Sequence, residues 1–198
     1  MLTDTQLYEL AEKMSIPLET ICFKDELPKK LKYNKSYIIN LDDSVDEEGN
    51  KSEGTHWTCL QVNKDKDGRM MPIFFDPYGA PPSENIKKFV LDNTGKGLPH
   101  TNKDVQSLMN NACGWFCCAY LHFINAWSHR TGDIYDDTEN FMNIFDDLNK
   151  SIDWKKNEYL LKMFFQSSDP SKRKEINVIA DTKDIMGQDM GGGDLGKV

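Results

Sequence analysis

Hydrophobic residues along the chain recur at helical spacing in several places, and one stretch is apolar at almost every position. That stretch, CGWFCCAYLHFINAW at residues 113–127, indicates a helix buried in the middle of a domain. Amphipathic spacing predicts three further helices, over residues 5–14, 138–148 and 158–165. Thr3 or Asp4 is a suitable N-cap for the first of these three helices.

Other segments have the composition of β-strands. YIINL at residues 37–41 is a short strand candidate, and HWTCLQV (56–62) and MMPIFFD (70–76) flank the polar loop NKDKDGR. This arrangement predicts an antiparallel hairpin. A turn centred near Lys66 places His56 directly opposite Asp76, with both side chains on one face. Pro77 ends the second strand because it has no N–H to donate to the ladder.

Two polar stretches complete the layout of the chain. Residues 42–53, DDSVDEEGNKSE, are acidic and poor in apolar residues, which predicts an exposed loop. Residues 186–198, MGQDMGGGDLGKV, are rich in glycine and predict a flexible tail. We therefore expect a single domain over residues 1–185 followed by this tail.

Composition and charge narrow the classes of function. The chain has 198 residues, of which 28% are charged and 38% hydrophobic, as is ordinary for a globular protein. No apolar run approaches the roughly 18 residues of a membrane span, and the N-terminus lacks the features of a signal peptide. We therefore expect an intracellular protein with no membrane partner. A net charge of -8 argues against nucleic acid as a partner.

The chain contains five cysteines: Cys22, Cys59, Cys113, Cys117 and Cys118. An odd number without a secretion signal predicts free thiols in a reducing compartment. The paired CxxC spacing of structural zinc sites is missing from the sequence. His122 follows Cys118 by four residues, on one helix face, but no second such pair accompanies it, so we predict no metal site.

Cys113 opens the predicted buried helix. Its sulfur would lie among backbone N–H groups at the positive end of the helix dipole, an environment that favours the thiolate. Gly114 would allow a substrate backbone to approach closely. Cys117 and Cys118 lie one turn further along on apolar faces, where cysteine behaves as a small hydrophobic residue. A purely structural Cys113 fits the same pattern, so the local sequence leaves both interpretations open.

A nucleophilic cysteine requires a base, an acceptor that orients the base, and donors for an oxyanion. His56 and Asp76, facing each other across the hairpin, would supply the base and its acceptor. Gln106, seven residues before Cys113, could donate to the oxyanion together with the Cys113 N–H. Each residue alone has an ordinary structural explanation. Only their combination favours catalysis.

The segments "GTHWTCLQV", "IFFDPYG" and "VQSLMNNACGWFCCAYLHF" resemble the sequence blocks of adenain, the family of adenovirus maturation cysteine proteases. The order of the blocks and the Gln-to-Cys spacing both match. Similar proteases occur in virophages and Polinton-type elements, and the same clan includes the SUMO-specific proteases. The resemblance implies an α+β fold, with a central, mostly antiparallel sheet flanked by helices and the nucleophile at the N-terminus of a buried helix.

The resemblance also implies roles for individual residues. Cys113 corresponds to the nucleophile, His56 to the general base and acid, and Asp76 to the orienting acid, which is a glutamate in adenain and an aspartate in the SUMO proteases. Gln106 and the Cys113 N–H correspond to the oxyanion hole. Trp57 is implied to pack beside the histidine, so we assign Trp57, with Gly114, to the substrate-binding region.

The function implied is that of a viral maturation endopeptidase that cleaves capsid or other virion precursor proteins at glycine-containing sites. Such an enzyme would act as a monomer in the infected cell and be packaged in the virion. The alternative is a peptidase specific for ubiquitin-like or SUMO-like modifiers, and a third class is a catalytically silent scaffold or DNA-binding module. The retention of His56, Asp76, Gln106 and Cys113 argues against the third.

One feature departs from adenain, which is activated by DNA and by a viral peptide that forms a disulfide with a cysteine upstream of the glutamine. The corresponding loop here, NTGKGLPHTNKD at residues 93–104, contains no cysteine, and the net charge is -8. Both observations argue against a peptide cofactor and against activation by DNA. We therefore expect an enzyme without cofactors.

The tail contains a candidate cleavage site. Adenain-like proteases prefer a bulky aliphatic residue at P4 and glycine at P2 or P1, a pattern that Met190 to Gly193 match, with Asp194 following. We predict self-cleavage between Gly193 and Asp194, or binding of the tail in the active site as a product mimic. A plain flexible tail is the alternative.

Mass spectrometry of the active protein should show loss of the last five residues over time, and a Cys113→Ala variant should keep its mass. Identical masses over time would contradict self-cleavage.

Overall fold

A computed structural model describes residues 1–108, 110–126, 131–150 and 154–167 of the chain. Its helices are α1 (Asp4–Lys13), α2 (Glu84–Thr94), α3 (Cys113–Asn125), α4 (Ile134–Met142) and α5 (Trp154–Ser167). Its strands are β1 (Leu18–Phe23), β2 (Lys35–Asn40), β3 (Trp57–Lys64) and β4 (Met70–Phe75). The predicted α+β class is confirmed. The tail at 186–198, with Gly193 and Asp194, lies outside the described residues.

The four strands form one sheet in the order β1-β2-β3-β4. β1 runs parallel to β2, whereas β2–β3 and β3–β4 are antiparallel, so the sheet is mixed but mostly antiparallel. The loop over residues 42–53 is mostly exposed, as its polarity predicts. β1 was not predicted from the sequence. It lies at the edge of the sheet and most of its residues are only half-buried.

The hairpin of β3 and β4 exists, but its predicted register is wrong by two residues. Cys59 pairs with Phe75 and Leu60 with Phe74, so the position opposite Asp76 is Thr58 rather than His56. The reason is the turn, in which the N–H groups of Asp65 and Gly68 bond to the carbonyls of Arg69 and Asp65, respectively. The turn is therefore centred one residue later than predicted. A shift of two residues leaves every side chain on its predicted face because strands repeat every two residues.

Side chains from the two faces of the sheet enter different cores. Ile38, Cys59 and Phe75 pack into a large core with α3, and the alternate residues, including Leu60 and Phe74, pack into a smaller core with α2. Eleven of the 13 residues of α3 are buried, which confirms the prediction of a buried helix. α3 packs against β3, α1, α4 and α5, so it is covered on every side.

Helix limits differ from the predictions at several places. α1 begins at Asp4 after Thr3, whose side chain and Gln6 form a capping box. α4 begins four residues before the predicted start, because the Asp133 side chain caps it, and ends at Met142. The predicted segment 158–165 lies within α5. α2 was not predicted, although Ile86, Phe89 and Val90 have the i, i+3, i+4 spacing of a buried helix face.

The cysteines behave as the sequence predicts. All five are free thiols. Cys117 and Cys118 are fully buried in the large core, and burial raises the pKa of both thiols well above the ordinary value. His122 donates a hydrogen bond from Nδ1 to the Met14 carbonyl, at 2.8 Å.

The described residues form neither a metal-binding cluster nor a membrane-spanning helix. Within them, no group of three or more His, Cys, Asp or Glu side chains is placed to hold a metal ion. No helix among them has the length and apolar character needed to cross a membrane.

Candidate active site

The four residues singled out as a catalytic set come from four separate parts of the fold. His56 precedes β3, Asp76 follows β4, Cys113 is the first residue of α3, and Gln106 lies in the segment between α2 and α3. Contacts and electrostatic interactions connect all four through the turn after β4, as described below. The structure therefore brings the predicted residues together.

His56 and Asp76 form a direct pair. His56 Nε2 lies 2.8 Å from Asp76 Oδ1, and the Asp76 side chain is only 1% exposed. A carboxylate can only accept hydrogen bonds, so Nε2 carries the proton of this bond. In the neutral ring, Nδ1 then holds the lone pair and is the nitrogen that can receive a proton from a nucleophile. Asp76 thus fixes the orientation of the imidazole, as the carboxylate of a catalytic triad would.

The charge state of His56 is set by its burial and by its two neighbours. Burial lowers the pKa of the imidazole, but the Asp76 hydrogen bond and the proximity of Cys113 and the Asp76 charge raise it to about 9. Among the described residues, Nδ1 has no hydrogen bond of normal geometry. The Cys113 side chain therefore lies near enough to act on the imidazole without an aligned hydrogen bond. Such bonds are often long in the absence of substrate.

The turn from Asp76 to Gly79 joins the acid to the loop that carries the glutamine. Asp76 Oδ1 also accepts a hydrogen bond from the Tyr78 N–H at 2.8 Å, and the Gly79 N–H donates to the Asp76 carbonyl at 2.8 Å. The Pro77 carbonyl accepts hydrogen bonds from the N–H groups of Val105 (2.8 Å) and Gln106 (3.2 Å). The turn therefore fixes both Asp76 and the main chain at Gln106.

Gln106 is buried, with 1% of its surface exposed. Its Nε2 donates to the Tyr78 hydroxyl at 3.2 Å and to the Asn110 carbonyl at 3.1 Å. At the start of α3, Ala112 provides no side-chain cap, and its carbonyl accepts from the N–H of Phe116. The Cys113 N–H consequently belongs to the open first turn of the helix, where backbone donors lack intrahelical partners.

α5 forms hydrogen bonds to both ends of the segment 105–110, which carries Gln106. Asn157 is fully buried, and its Nδ2 donates to the Val105 carbonyl at 3.1 Å. Glu158 accepts a hydrogen bond from the Asn110 side chain, and burial raises the pKa of this carboxyl to about 7. Asn110 Oδ1 in turn accepts from the Ala112 N–H at 3.2 Å. The segment that carries Gln106 is thereby fixed from α5 to the first turn of α3.

The two residues assigned to substrate binding have structural roles. The Trp57 side chain is buried, with 4% of the residue exposed, and its indole N–H donates to the Leu2 carbonyl at 2.8 Å. A Cβ added to Gly114 would lie 3.0 Å from Leu7 Cδ2 and 3.2 Å from Leu2 Cδ1, so α1 and the N-terminal segment pack closely on this glycine. Contact of Trp57 or Gly114 with substrate stays a prediction.

A cleft of about 1030 Å³ lies beside this part of the molecule. Its apolar lining includes Leu2, Phe23 and Val45, and Gly54 and Trp57, which precede and follow His56 in the sequence, also line it. At 13%, the His56 side chain is more exposed than the other three residues of the set, each at 1%. The open side of the site is therefore the side of His56.

Tyr78 is a residue of the site to which the sequence analysis gave no role. Its ring stacks on the imidazole of His56, with centroids 4.5 Å apart and planes inclined by 22°. Its hydroxyl accepts from Gln106, and its N–H donates to Asp76. The sequence signal for Tyr78 was its position two residues after Asp76, directly after the proline that ends the strand.

Comparison with known proteins adds no family assignment, because neither the protein-family models nor the curated proteins give a match to this chain.

Replacing the acid should change the titration of His56. In Asp76→Asn, burial still lowers the His56 pKa, but the charge that opposes it is lost, so we expect a pKa well below the wild-type value of about 9. NMR titration of the His56 ring should measure the difference. An unchanged His56 pKa would show that Asp76 does not stabilise the protonated imidazole.

The same shift has a consequence for stability. Because folding raises the His56 pKa from 6.5 to about 9, its contribution to the free energy of unfolding is complete below pH 6.5 and is lost as the pH rises towards 9. Asp76→Asn should lack this decrease when the free energy of unfolding is compared across that range.

The turn itself can be tested at Gly79. Gly79 has φ +69°, and an added Cβ would lie 2.8 Å from the Asn102 carbonyl carbon. Gly95 has nearly the same φ, +68°, but open space around it. Gly95→Ala should therefore cost roughly 1–2 kcal/mol of backbone strain. Gly79→Ala should cost about 1–3 kcal/mol more because the neighbouring main chain must move. Urea unfolding of both variants would measure the difference, and equal losses would contradict close packing at Gly79.

Proposed function

We propose that this protein is a cysteine endopeptidase in which Cys113 is the nucleophile, His56 the general base and acid, and Asp76 the acid that orients His56. The observation that carries the proposal is the pairing of His56 with the buried Asp76 carboxylate, at 2.8 Å, next to a cysteine at the first turn of a buried helix. A histidine with a purely structural role would need neither a buried carboxylate at one ring nitrogen nor a cysteine near the other.

The chemistry follows from the proton positions in the site. Transfer of the Cys113 proton to His56 Nδ1 gives a thiolate–imidazolium ion pair. The thiolate attacks the peptide carbonyl, so that an S–C bond forms and the carbonyl π electrons move to the oxygen. Collapse of this intermediate breaks the C–N bond, and His56 gives the proton to the leaving amine. Water then attacks the thioester, with His56 again as base, and releases the acid and the thiol.

The buried surroundings support this ion pair. With a pKa of about 9, His56 is protonated at neutral pH and can stabilise a thiolate on Cys113. The positive end of the α3 dipole acts in the same direction. A cleft lined by Gly54 and Trp57, but by none of the four residues of the set, is large enough for an extended peptide segment.

The resemblance of the "GTHWTCLQV", "IFFDPYG" and "NNACGWFCC" segments to adenain supports a substrate class. We infer that the substrates are capsid or other virion precursor proteins, cleaved at glycine-containing sites in the infected cell or in the virion. The loop at residues 93–104 has no cysteine, so the enzyme would act without a disulfide-linked peptide.

A second candidate function is cleavage after the Gly-Gly end of ubiquitin-like or SUMO-like modifiers. The observation that favours it is the identity of the orienting acid, because Asp76 is an aspartate, as in the SUMO proteases, and not the glutamate of adenain. Both candidates use the same site and the same chemistry. They differ in whether the enzyme recognises a short peptide segment or a folded modifier protein.

Two substrates separate these candidates. We expect a Met-x-Gly-Gly peptide to be cleaved faster than a fluorogenic ubiquitin or SUMO C-terminal substrate, because the cleft accommodates an extended segment. The reverse order would favour the modifier-specific peptidase. Cleavage of neither substrate would contradict a peptidase and favour the silent scaffold.

The nucleophile is tested with a matched pair of cysteine variants. Cys113→Ala should abolish peptide cleavage, whereas Cys118→Ala, further along the same helix and buried in the large core, should leave kcat unchanged. Gln106→Ala should lower kcat by roughly 10²–10³-fold, because the oxyanion loses either the Gln106 amide or a donor that this amide holds in place. Rates would be measured by peptide hydrolysis under identical conditions. Full activity of Cys113→Ala would contradict the proposal.

A further inference from the structure

We propose that Tyr78 is a further catalytic residue, whose hydroxyl donates a hydrogen bond to the oxyanion while Gln106 holds that hydroxyl in place. The inference rests on the proposed peptidase function and assigns the oxyanion donor within that site. It differs from the assignment that the resemblance to adenain implies, in which the Gln106 amide itself contacts the oxyanion.

The first observation is that the amide of Gln106 is fully used. A glutamine amide has two N–H groups, and those of Gln106 donate to the Tyr78 hydroxyl at 3.2 Å and to the Asn110 carbonyl at 3.1 Å. Gln106 is also 1% exposed and fixed through its main-chain N–H, which bonds to the Pro77 carbonyl at 3.2 Å. Its side chain therefore has no remaining donor for a substrate oxygen in this arrangement.

The second observation concerns the proton of the Tyr78 hydroxyl. This oxygen accepts the hydrogen bond from Gln106, and within the described ranges its own proton has no acceptor. A hydroxyl that accepts a hydrogen bond becomes a better donor, because neighbouring hydrogen bonds polarise each other. The Tyr78 hydroxyl can therefore donate a hydrogen bond, and none of the described residues accepts it.

The third observation is the position of the Tyr78 ring. The ring stacks on the imidazole of His56 with centroids 4.5 Å apart, and the Tyr78 N–H donates to Asp76 Oδ1 at 2.8 Å. These contacts hold Tyr78 beside the histidine that would deliver the leaving-group proton. The oxygen of the tetrahedral intermediate forms next to that histidine and the Cys113 sulfur.

The protonation state of Tyr78 fits the role of a donor. Burial, with the nearby charges of Cys113 and Asp76, raises the pKa of the phenol to about 12, so the hydroxyl keeps its proton at neutral pH. When the thiolate adds to the carbonyl, the oxygen gains negative charge and accepts the Tyr78 O–H and the Cys113 N–H. No proton is transferred to it. The charge returns to the carbonyl when the C–N bond breaks.

The test compares Tyr78→Phe with the wild-type chain in two assays. The phenylalanine keeps the ring that stacks on His56 and removes only the hydroxyl. We expect kcat for the Met-x-Gly-Gly peptide to fall by roughly 10²-fold, with KM little changed, because one donor to the transition state is lost. Alkylation of Cys113 by iodoacetamide forms no oxyanion, so its rate should equal that of the wild type.

A double variant tests the supporting role of Gln106. If Gln106 acts through Tyr78, the loss of kcat in Tyr78→Phe/Gln106→Ala should be no larger than the larger of the two single losses. Losses that multiply would contradict this role. Tyr159→Phe, at an exposed tyrosine of α5, serves as the control and should keep the wild-type kcat.

Two results would overturn the inference itself. In Tyr78→Phe, an unchanged or increased kcat would show that the hydroxyl only occupies an N–H that Gln106 needs for the oxyanion. Equal losses of kcat and alkylation rate would show that Tyr78 acts on the nucleophile through His56. If the wild-type chain cleaves no peptide, both the proposed function and this inference are contradicted. The wild-type assay gives that result before any variant is made.

Discussion

The complete burial of α3 is the constraint on which the rest of the structure depends. A helix with 11 of its 13 residues buried must be covered on all sides, and β3, α1, α4 and α5 provide that cover. Only the N-terminal end of such a helix offers unpaired backbone donors, and Cys113 lies there. A site at this end is surrounded by apolar packing, so every polar group that enters it needs a partner.

The Asp76–Gly79 turn supplies partners to several of those polar groups, although His56 Nδ1, Asp76 Oδ2 and Gln106 Oε1 have none among the described residues. One short segment supplies the carboxylate that pairs with His56, the ring that stacks on it, and the carbonyl that fixes the chain at Gln106. His56, Asp76 and the segment that carries Gln106 are therefore held together by this one turn. α5 reinforces the unit through Asn157 and Glu158, which links a helix distant in sequence to the geometry around the thiol.

Elements with strong hydrophobic patterns were predicted from the sequence, whereas elements with weak patterns were not. The continuous apolar run identified α3, and the alternation of the hairpin put His56 and Asp76 on one face even though the turn shifted the register by two residues. β1 and α2 were not predicted, since β1 is a half-buried edge strand and α2 has only three buried residues amid polar ones. The role of Tyr78 depends on long-range contacts, which no local pattern encodes.

The most direct test of the account is the order in which the cysteines react with limiting iodoacetamide at neutral pH, mapped by mass spectrometry of the peptides. Cys22 is 9% exposed and Cys113 only 1%, so access alone favours Cys22. Burial, however, raises the Cys22 pKa to about 12, whereas Cys113 has the His56 imidazolium beside it. The account predicts that Cys113 is alkylated first. Labelling of Cys22 before Cys113, or at the same rate, would contradict it.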